Sequence, residues 1–242
     1  ELVDKTTKAG LSGLEWAAGI PGTIGGAIWG NAGAYGHSIS ESVKSVEVFN
    51  FNNETPKQSL RHATGQAIEQ WSKERCCFAY RSSIFSASGR PAARFASEAR
   101  RVGGKEKPLV ILSAILVLKK AEPAQIKKNL EEIFKTRKQK LPDQSSAGCI
   151  FKNIILKDWP GPKEQIPADK IQGNKVAAGY LIEQCGLKGR QVGQARISKK
   201  HGNFIVNLGQ AKARDVMELI ALAKREVRKK FGLTLEEEIK YL

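Results

Sequence analysis

The 242-residue chain has few side chains of the kinds that hold metals or build disulfides: three His, four Cys and one Met. Its cysteines stand at 76, 77, 149 and 185, with no C-x-x-C pair. That pattern excludes a disulfide framework and a zinc cluster, and it fits a reducing cytoplasm. His37, His62 and His201 are scattered, which also speaks against a metal centre. Aromatic residues make up 7%, too few for a base-stacking platform. The longest apolar run, Leu109 to Leu118, has ten residues including Ser113. A membrane-spanning helix needs about 20. Glu1 to Lys8 is charged and polar, unlike a signal peptide, and the first residue is Glu rather than Met, as in a processed chain or a fragment. No internal repeat, low-complexity tract or G-x-G-x-x-G fingerprint occurs. Acidic residues are scarce: 24 Asp and Glu face 40 Lys and Arg, a net charge of +16. The excess points to an anionic partner, whether nucleic acid, membrane surface or phosphorylated small molecule.

What is present suits one large soluble domain or two modest ones, with 41% apolar and 26% charged residues. Val46 to Phe51 reads as a strand, and Leu109 to Leu118 as a buried strand. Ser86 to Lys107 reads as an exposed basic loop with a helical piece around Ala92 to Arg101. Pro123 fits a first helical turn; Ile126, Leu130, Ile133 and Phe134 follow at helical spacing and stop before Pro142. Asp143 to Pro167 reads as strand and loop. Val176 to Cys185 reads as a short helix closed by Gly186, with Ala177, Tyr180 and Leu181 on one face. Gln191 to Ser198 and Asn203 to Leu208 read as strands. Asp215 to Lys230 is the clearest helix, with a stripe of Val216, Leu219, Ile220, Ala223 and Val227 before Gly232. Glu237 to Leu242 alternates like a last strand. This mixture without regular βαβ alternation predicts an α+β fold, and a composition shift at Lys140 divides it into 1–140 and 141–242.

Gly10 to Gly36 carries nine glycines, among them the run Gly19-Ile-Pro-Gly-Thr-Ile-Gly-Gly-Ala27 and then Asn31-Ala-Gly-Ala-Tyr-Gly36. Side-chain-free backbone of this kind lets an anionic or planar ligand approach N–H groups closely. It equally suits a compact run of turns, and the residues alone leave both open.

This stretch resembles the flavin-contacting segment of the UDP-N-acetylenolpyruvoylglucosamine reductase (MurB) family. Further blocks follow in the family's order: Tyr80-Arg-Ser-Ser-Ile-Phe85, Ser146-Ala-Gly-Cys-Ile-Phe-Lys-Asn153, Ala178 to Gly189, Ser198 to Asn207, and the tail Phe231 to Ile239. The resemblance spans nearly the whole chain. It implies a partial, PCMH-like FAD-binding domain over 1–140 without its N-terminal subdomain. A smaller UDP-sugar-binding α+β domain over 141–242 would follow, its tail returning to the active site. The implied reaction uses NADPH and FAD to reduce the enolpyruvyl ether of UDP-N-acetylglucosamine to UDP-N-acetylmuramate for peptidoglycan. The cofactors implied are FAD and NADPH. The implied enzyme is a cytoplasmic monomer that takes neither nucleic acid nor metal.

Residue by residue, the flavin would meet Gly19, Pro21, Gly22, Thr23, Gly25, Gly26, Asn31, Gly33, Ala34 and Tyr35. Arg81 matches the family's active-site arginine, whose guanidinium stabilises enolate-like charge beside the substrate carboxylate; otherwise it is one surface arginine in a basic chain. Cys149 matches the proton donor, often Ser in the family. A thiol, with an ordinary pKa of about 8.5, gives up a proton far more easily than an alcohol, and the plain alternative is a buried structural cysteine. Glu238 matches the terminal glutamate that assists proton transfer. Glu236 competes for that role, and Glu237 replaces the family's usual Pro. Tyr80, Lys140, Asn153 and Lys188 match substrate-binding positions; the last three hold the diphosphate in the family, though each is otherwise ordinary polar surface. His201 lies in a matching block and suits a structural hydrogen bond equally. Cys76, Cys77 and Cys185 read as structural. The absent N-terminal flavin loop implies weak FAD binding by this chain. Other readings are a catalytically incomplete fragment that keeps only sugar-nucleotide binding, another FAD-linked oxidase, and a basic nucleic-acid-binding protein.

Overall fold

The structure is a computed structural model and describes residues 1–50, 68–86 and 109–241. The chain divides into two compact units, Glu1–Phe134 and Lys135–Leu242. Unit 1 runs α1 (Leu2–Lys8), β1 (Leu11–Ser12), α2 (Ile24–Gly30), β2 (Gly33–Ala34), β3 (His37–Ser38), β4 (Val43–Asn50), β5 (Ile68–Ser72), β6 (Leu109–Leu116) and β7 (Lys119–Lys120). The division falls inside α3 (Pro123–Lys140). Unit 2 continues with β8 (Ser146–Cys149), β9 (Ile154–Ile155), β10 (Ile171–Gln172), β11 (Lys175–Val176), α4 (Ala178–Gln184), β12 (Gln191–Val192), β13 (Ala195–Ile197), β14 (Phe204–Asn207) and α5 (Ala213–Phe231). Helices and antiparallel strands are mixed in both units, an α+β architecture.

Unit 1 is built on the antiparallel sheet β5-β4-β6. Val46 and Val48 alternate inward from β4 and are fully buried, as β-branched residues on a half-covered sheet require. They meet Leu14, Trp16, Ile28, Ile39 and Trp71, with Trp71 stacked on Phe85 at 5.7 Å. Unit 2 packs α5 on the sheet β12-β13-β14-β8. Leu219, Ile220, Ala223 and Val227 form the buried stripe of α5, against Ala195, Ile197, Leu181, Ile182 and Leu235. Burying each large aliphatic of this set contributes about 1.5–3 kcal/mol. Gly232, at φ 69°, closes α5 in the left-handed conformation.

Five expectations change. Leu109 to Leu118 contains a strand, but not a buried one: Ile111, Ala114 and Leu116 pack on the core while Val110, Leu112, Ile115 and Val117 stay exposed. Among the described residues one face of this sheet packs on the core, so a continuous apolar run does not mean two-sided burial. The glycine-rich stretch is not all turns, because Ile24–Gly30 is helical, started by the Thr23 hydroxyl. The short helix buries Ala178, Leu181 and Ile182 rather than Ala177 and Tyr180, a face rotated by one residue. Gln191 to Ser198 folds back on itself as the β12–β13 hairpin, with Gly193 at φ 51° in its turn. Among the described residues, Glu237 to Tyr241 of the expected Glu237 to Leu242 strand form no strand; an isolated bridge joins Phe151 to Glu237. Two backbone hydrogen bonds flank that bridge, and side-chain pairs hold the rest of the tail. The loop expected over Ser86 to Lys107, with its helical piece at Ala92 to Arg101, lies outside the described residues beyond Ser86, as does Phe51.

Candidate active site

In unit 1, residues 19–23 are exposed, and Gly19 and Gly22 take φ 73° and 138°, open to glycine but not to most other residues. A Cβ on Gly22 would meet nothing within 4 Å, so its face looks into open space. Thr23 accepts the Gly26 N–H at 3.1 Å and thereby starts α2. This exposed, side-chain-poor backbone around Pro21, Gly25 and Gly26 fits the close approach of a flavin nucleotide such as FAD. Gly33 has a different reason to be glycine. A Cβ there would stand 2.4 Å from the His37 carbonyl oxygen, so the β2–β3 hairpin closes only without a side chain. Ala34 pairs with His37, and Tyr35 turns outward at φ 54°.

Ala79 and Ser82 exchange backbone hydrogen bonds of 3.0 and 3.1 Å, which puts Tyr80 and Arg81 at the tip of a two-residue turn. Arg81 is left-handed at φ 52°, a conformation that costs a side-chain-bearing residue about 1–2 kcal/mol. Its guanidinium carbon lies 5.3 Å from the centre of the Tyr80 ring. The turn is tied to the glycine-rich segment. Asn31 donates to the Ala79 carbonyl at 2.8 Å, and Ser83 donates to the Trp29 carbonyl at 2.6 Å. Asn31 is buried and left-handed (φ 44°), so it ends α2 and holds the Arg81 turn at once. A left-handed arginine in a turn tied this firmly to the glycine-rich segment is the kind of backbone outlier that clusters at functional sites.

In unit 2, Cys149 ends β8, Phe204 pairs with it, and Asn153 lies four residues on. The C-terminal tail returns along the segment between them. Glu238 N–H donates to the Ile150 carbonyl at 2.7 Å, and Lys152 N–H donates to the Glu236 carbonyl at 2.9 Å. Ile150 and Ile239 line a cavity of about 390 Å³ that neither Cys149 nor Glu238 lines. The three tail glutamates are held differently. Glu236 pairs with Lys152, and Glu237 accepts from Lys224 and Tyr241. Burial pushes the Glu237 carboxyl upward, but those two hydrogen bonds outweigh it and hold the group below the usual range. The Tyr241 hydroxyl is correspondingly pushed up to about 12. Glu236 and Glu237 therefore anchor the tail that carries Glu238.

Asn153 Oδ1 accepts the Ala178 N–H at 3.1 Å at the start of α4. Lys188 pairs with Glu183 at 3.3 Å, and Glu183 also accepts the Gly202 N–H at 3.1 Å. Lys140, exposed at the end of α3, and Lys188 both act on His201, whose pKa is lowered by burial first and by these two ammonium groups after it. The His201 ring accepts the Asn203 N–H at 3.1 Å through Nδ1, the structural role that was one of its two readings. Burial pushes the Cys76 thiol up to about 12 and the Cys185 thiol above its ordinary value, as expected of unreactive cysteines. Thus Gly19–Tyr35, Tyr80 and Arg81 assemble in unit 1. Cys149 and Asn153 flank the Ile150–Lys152 segment on which the tail bearing Glu238 returns, and Lys140 and Lys188 both act on His201. Sequence reasoning passes over Asn203, Glu183 and Lys224. Only Asn203 leaves a trace, an amide at the head of the apolar run Phe204-Ile-Val206.

Residues 139–242 match the family model for the UDP-N-acetylenolpyruvoylglucosamine reductase C-terminal domain, and residues 1–55 match an FAD binding domain. A UDP-N-acetylenolpyruvoylglucosamine reductase of Solibacter usitatus is 36% identical over 244 residues, covering 100% of this chain and 68% of its own length. The enzyme of that name from Bacillus subtilis is 34% identical, covering 100% of this chain and 63% of itself. The crystal structure of the Thermus caldophilus reductase (MurB) superposes with a TM-score of 0.66 at 33% identity, over 99% of this chain and 67% of that one. The chain thus spans 60–68% of the length of such curated relatives. These matches, reaching across both units, establish that the chain belongs to the UDP-N-acetylenolpyruvoylglucosamine reductase family.

Proposed function

We propose that this chain carries the substrate-reducing machinery of a flavoenzyme that converts UDP-N-acetylglucosamine enolpyruvate to UDP-N-acetylmuramate in peptidoglycan precursor synthesis, with NADPH as reductant. The observation that carries it is the return of the tail onto Ile150–Lys152, which brings Glu238 alongside the Cys149–Asn153 segment. FAD, when bound, supplies the hydride. Gly19, Pro21, Gly22, Thr23, Gly25, Gly26, Asn31, Gly33, Ala34 and Tyr35 form the backbone-rich surface that receives it, Asn31 and Gly33 by shaping that surface. Arg81, preset by its turn, stabilises the negative charge that reduction throws onto the substrate carboxylate. Cys149 gives its thiol proton to the carbon next to the reduced one, and Glu238 assists that transfer. Lys140, Asn153 and Lys188 bind the diphosphate and Tyr80 the sugar side.

Residues 1–140 act as the partial flavin domain and 141–242 as the substrate domain. Among the described residues no helix is long and apolar enough to cross a membrane. Cysteines without a C-x-x-C pair suit a reducing cytoplasm, and the reading takes the enzyme as a monomer there. The basic residues are dispersed along the chain, which favours a sugar nucleotide over nucleic acid as the anionic partner. The test is binding. UDP should raise the melting temperature of the purified chain, and Lys188→Ala should reduce that rise. The flavin absorption band retained through gel filtration after FAD addition measures how far the chain suffices for cofactor. UDP without effect on melting would defeat the substrate assignment.

A further inference from the structure

The segment Ile150–Lys152 is gripped along both edges. The tail takes one edge, through the Ile150 carbonyl and the Lys152 N–H. The other belongs to a single residue. The Phe151 N–H donates to Asn203 Oδ1 at 2.9 Å, and Asn203 Nδ2 donates to the Phe151 carbonyl at 2.8 Å. The Ile150 N–H donates to the Asn203 carbonyl at 2.9 Å. Beyond the pairing of Phe204 with Cys149, the side chain of Asn203 thus does what the next residue of a β-strand would do. The geometry defines its amide orientation, since only one flip offers an acceptor to the N–H and a donor to the carbonyl. Asn203 is 2% exposed and Phe151 2%, so neither partner has water as a substitute. Cys149 and Asn153 stand just outside the two ends of the gripped segment.

We infer that Asn203 is a positioning residue, its amide closed on the Phe151 peptide group so that Cys149 keeps its place beside the tail residue Glu238. This rests on the reading of Cys149 and Glu238 as the proton-transfer pair. Asn203 touches no reacting atom in this scheme; it acts through the backbone of Phe151. No other polar type of that size serves: Asp lacks the donor and sets an oxygen against the Phe151 carbonyl, and Leu leaves both Phe151 groups unpaired.

The test compares the rate of iodoacetamide alkylation at Cys149 with that at Cys185, resolved by peptide mass spectrometry, in the purified chain and in Asn203→Asp. Cys185 lies in the same unit and reports general loosening. The expected result is a rise of roughly fivefold at Cys149, the effect of one net hydrogen bond, with Cys185 changed less than about twofold. Equal changes at both thiols, or none at Cys149, overturn the inference. Should the variant not fold, hydrogen exchange of the unaltered chain decides. The Phe151 amide should be protected at least about tenfold more than the exposed amide of Lys157, and equal exchange overturns the inference. The thiol measurement needs neither flavin nor substrate. In an active form, an altered Cys149 rate with undiminished product formation would fault the proton-donor reading, not the positioning of Cys149 by Asn203.

Discussion

The glycine-rich segment of unit 1 and the Cys149–Asn153 segment of unit 2 settle their backbone by opposite means. Residues 19–26 do so by leaving side chains out, with Gly22 open to space and left-handed positions that only glycine adopts cheaply. The Cys149–Asn153 segment does so by adding side chains: Asn203 clamps Phe151, and Lys152 and Lys224 anchor the tail through Glu236 and Glu237. A surface made by omission is robust to small changes outside its glycines. One made by clamps depends on buried donors and acceptors that are costly to orphan.

The largest expected effect separates the two regions directly. In a chain extended with the additional segment of the Solibacter relative, Cys149→Ala should leave reduction of the flavin by NADPH unchanged. Product formation should fall about a hundredfold or more, the usual loss with a general acid; stopped-flow absorbance follows both steps. Normal rates in both would sink the donor assignment. Next comes Gly33→Ala, whose Cβ would strike the His37 carbonyl at 2.4 Å. It should cost unit 1 about 1–3 kcal/mol, the range for overpacking, read by urea unfolding; unchanged stability would mean the hairpin yields freely. Asn31→Ala should cost about 2 kcal/mol, from the lost bond to Ala79 and a left-handed alanine. It should also weaken FAD retention by moving the Arg81 turn. Loss of stability with intact flavin binding would detach that turn from the flavin surface.

The smallest effect is acidic and confined to unit 2. His201 titrates below its ordinary value because it is buried and faces Lys188 and Lys140, with Glu183 opposing them. A depressed folded value means that the unfolded chain binds the proton first. Stability from this group is therefore complete above about pH 6.5. It declines as pH falls through the lower folded value, where protonation also breaks the bond from the Asn203 N–H. The loss should be about 1 kcal/mol, one net hydrogen bond. His201→Gln should flatten this slope between pH 7 and 5 in melting experiments; an unaltered slope would show another group responsible.

Elements with a single strong period were legible in the sequence. The Asp215 helix appears as Ala213–Phe231 with nearly the expected stripe, and the Pro123 helix runs to Lys140. Periodicity misled where the environment was one-sided or the chain reversed within a few residues. The exposed face of β6 looks as apolar as its buried face, and the Gly193 turn hides inside an apparently continuous strand. Among site residues, Arg81 and Cys149 stand in recognisable blocks, yet nothing local marks Arg81 as left-handed. Nor does anything local distinguish Glu238 from its neighbours, since three adjacent glutamates have the same chemistry.

By itself the sequence determined the α+β composition, the two long helices, the glycine-built surface and the family. These follow from local spacing and from motifs a few residues long. The tertiary structure alone decided that Glu236 and Glu237 anchor the tail while Glu238 lies beside the Ile150 carbonyl, and that Asn203 closes on Phe151 from 52 residues away. Such pairings satisfy buried polar groups across long loops, and a donor's partner over that separation has no periodicity from which it can be read.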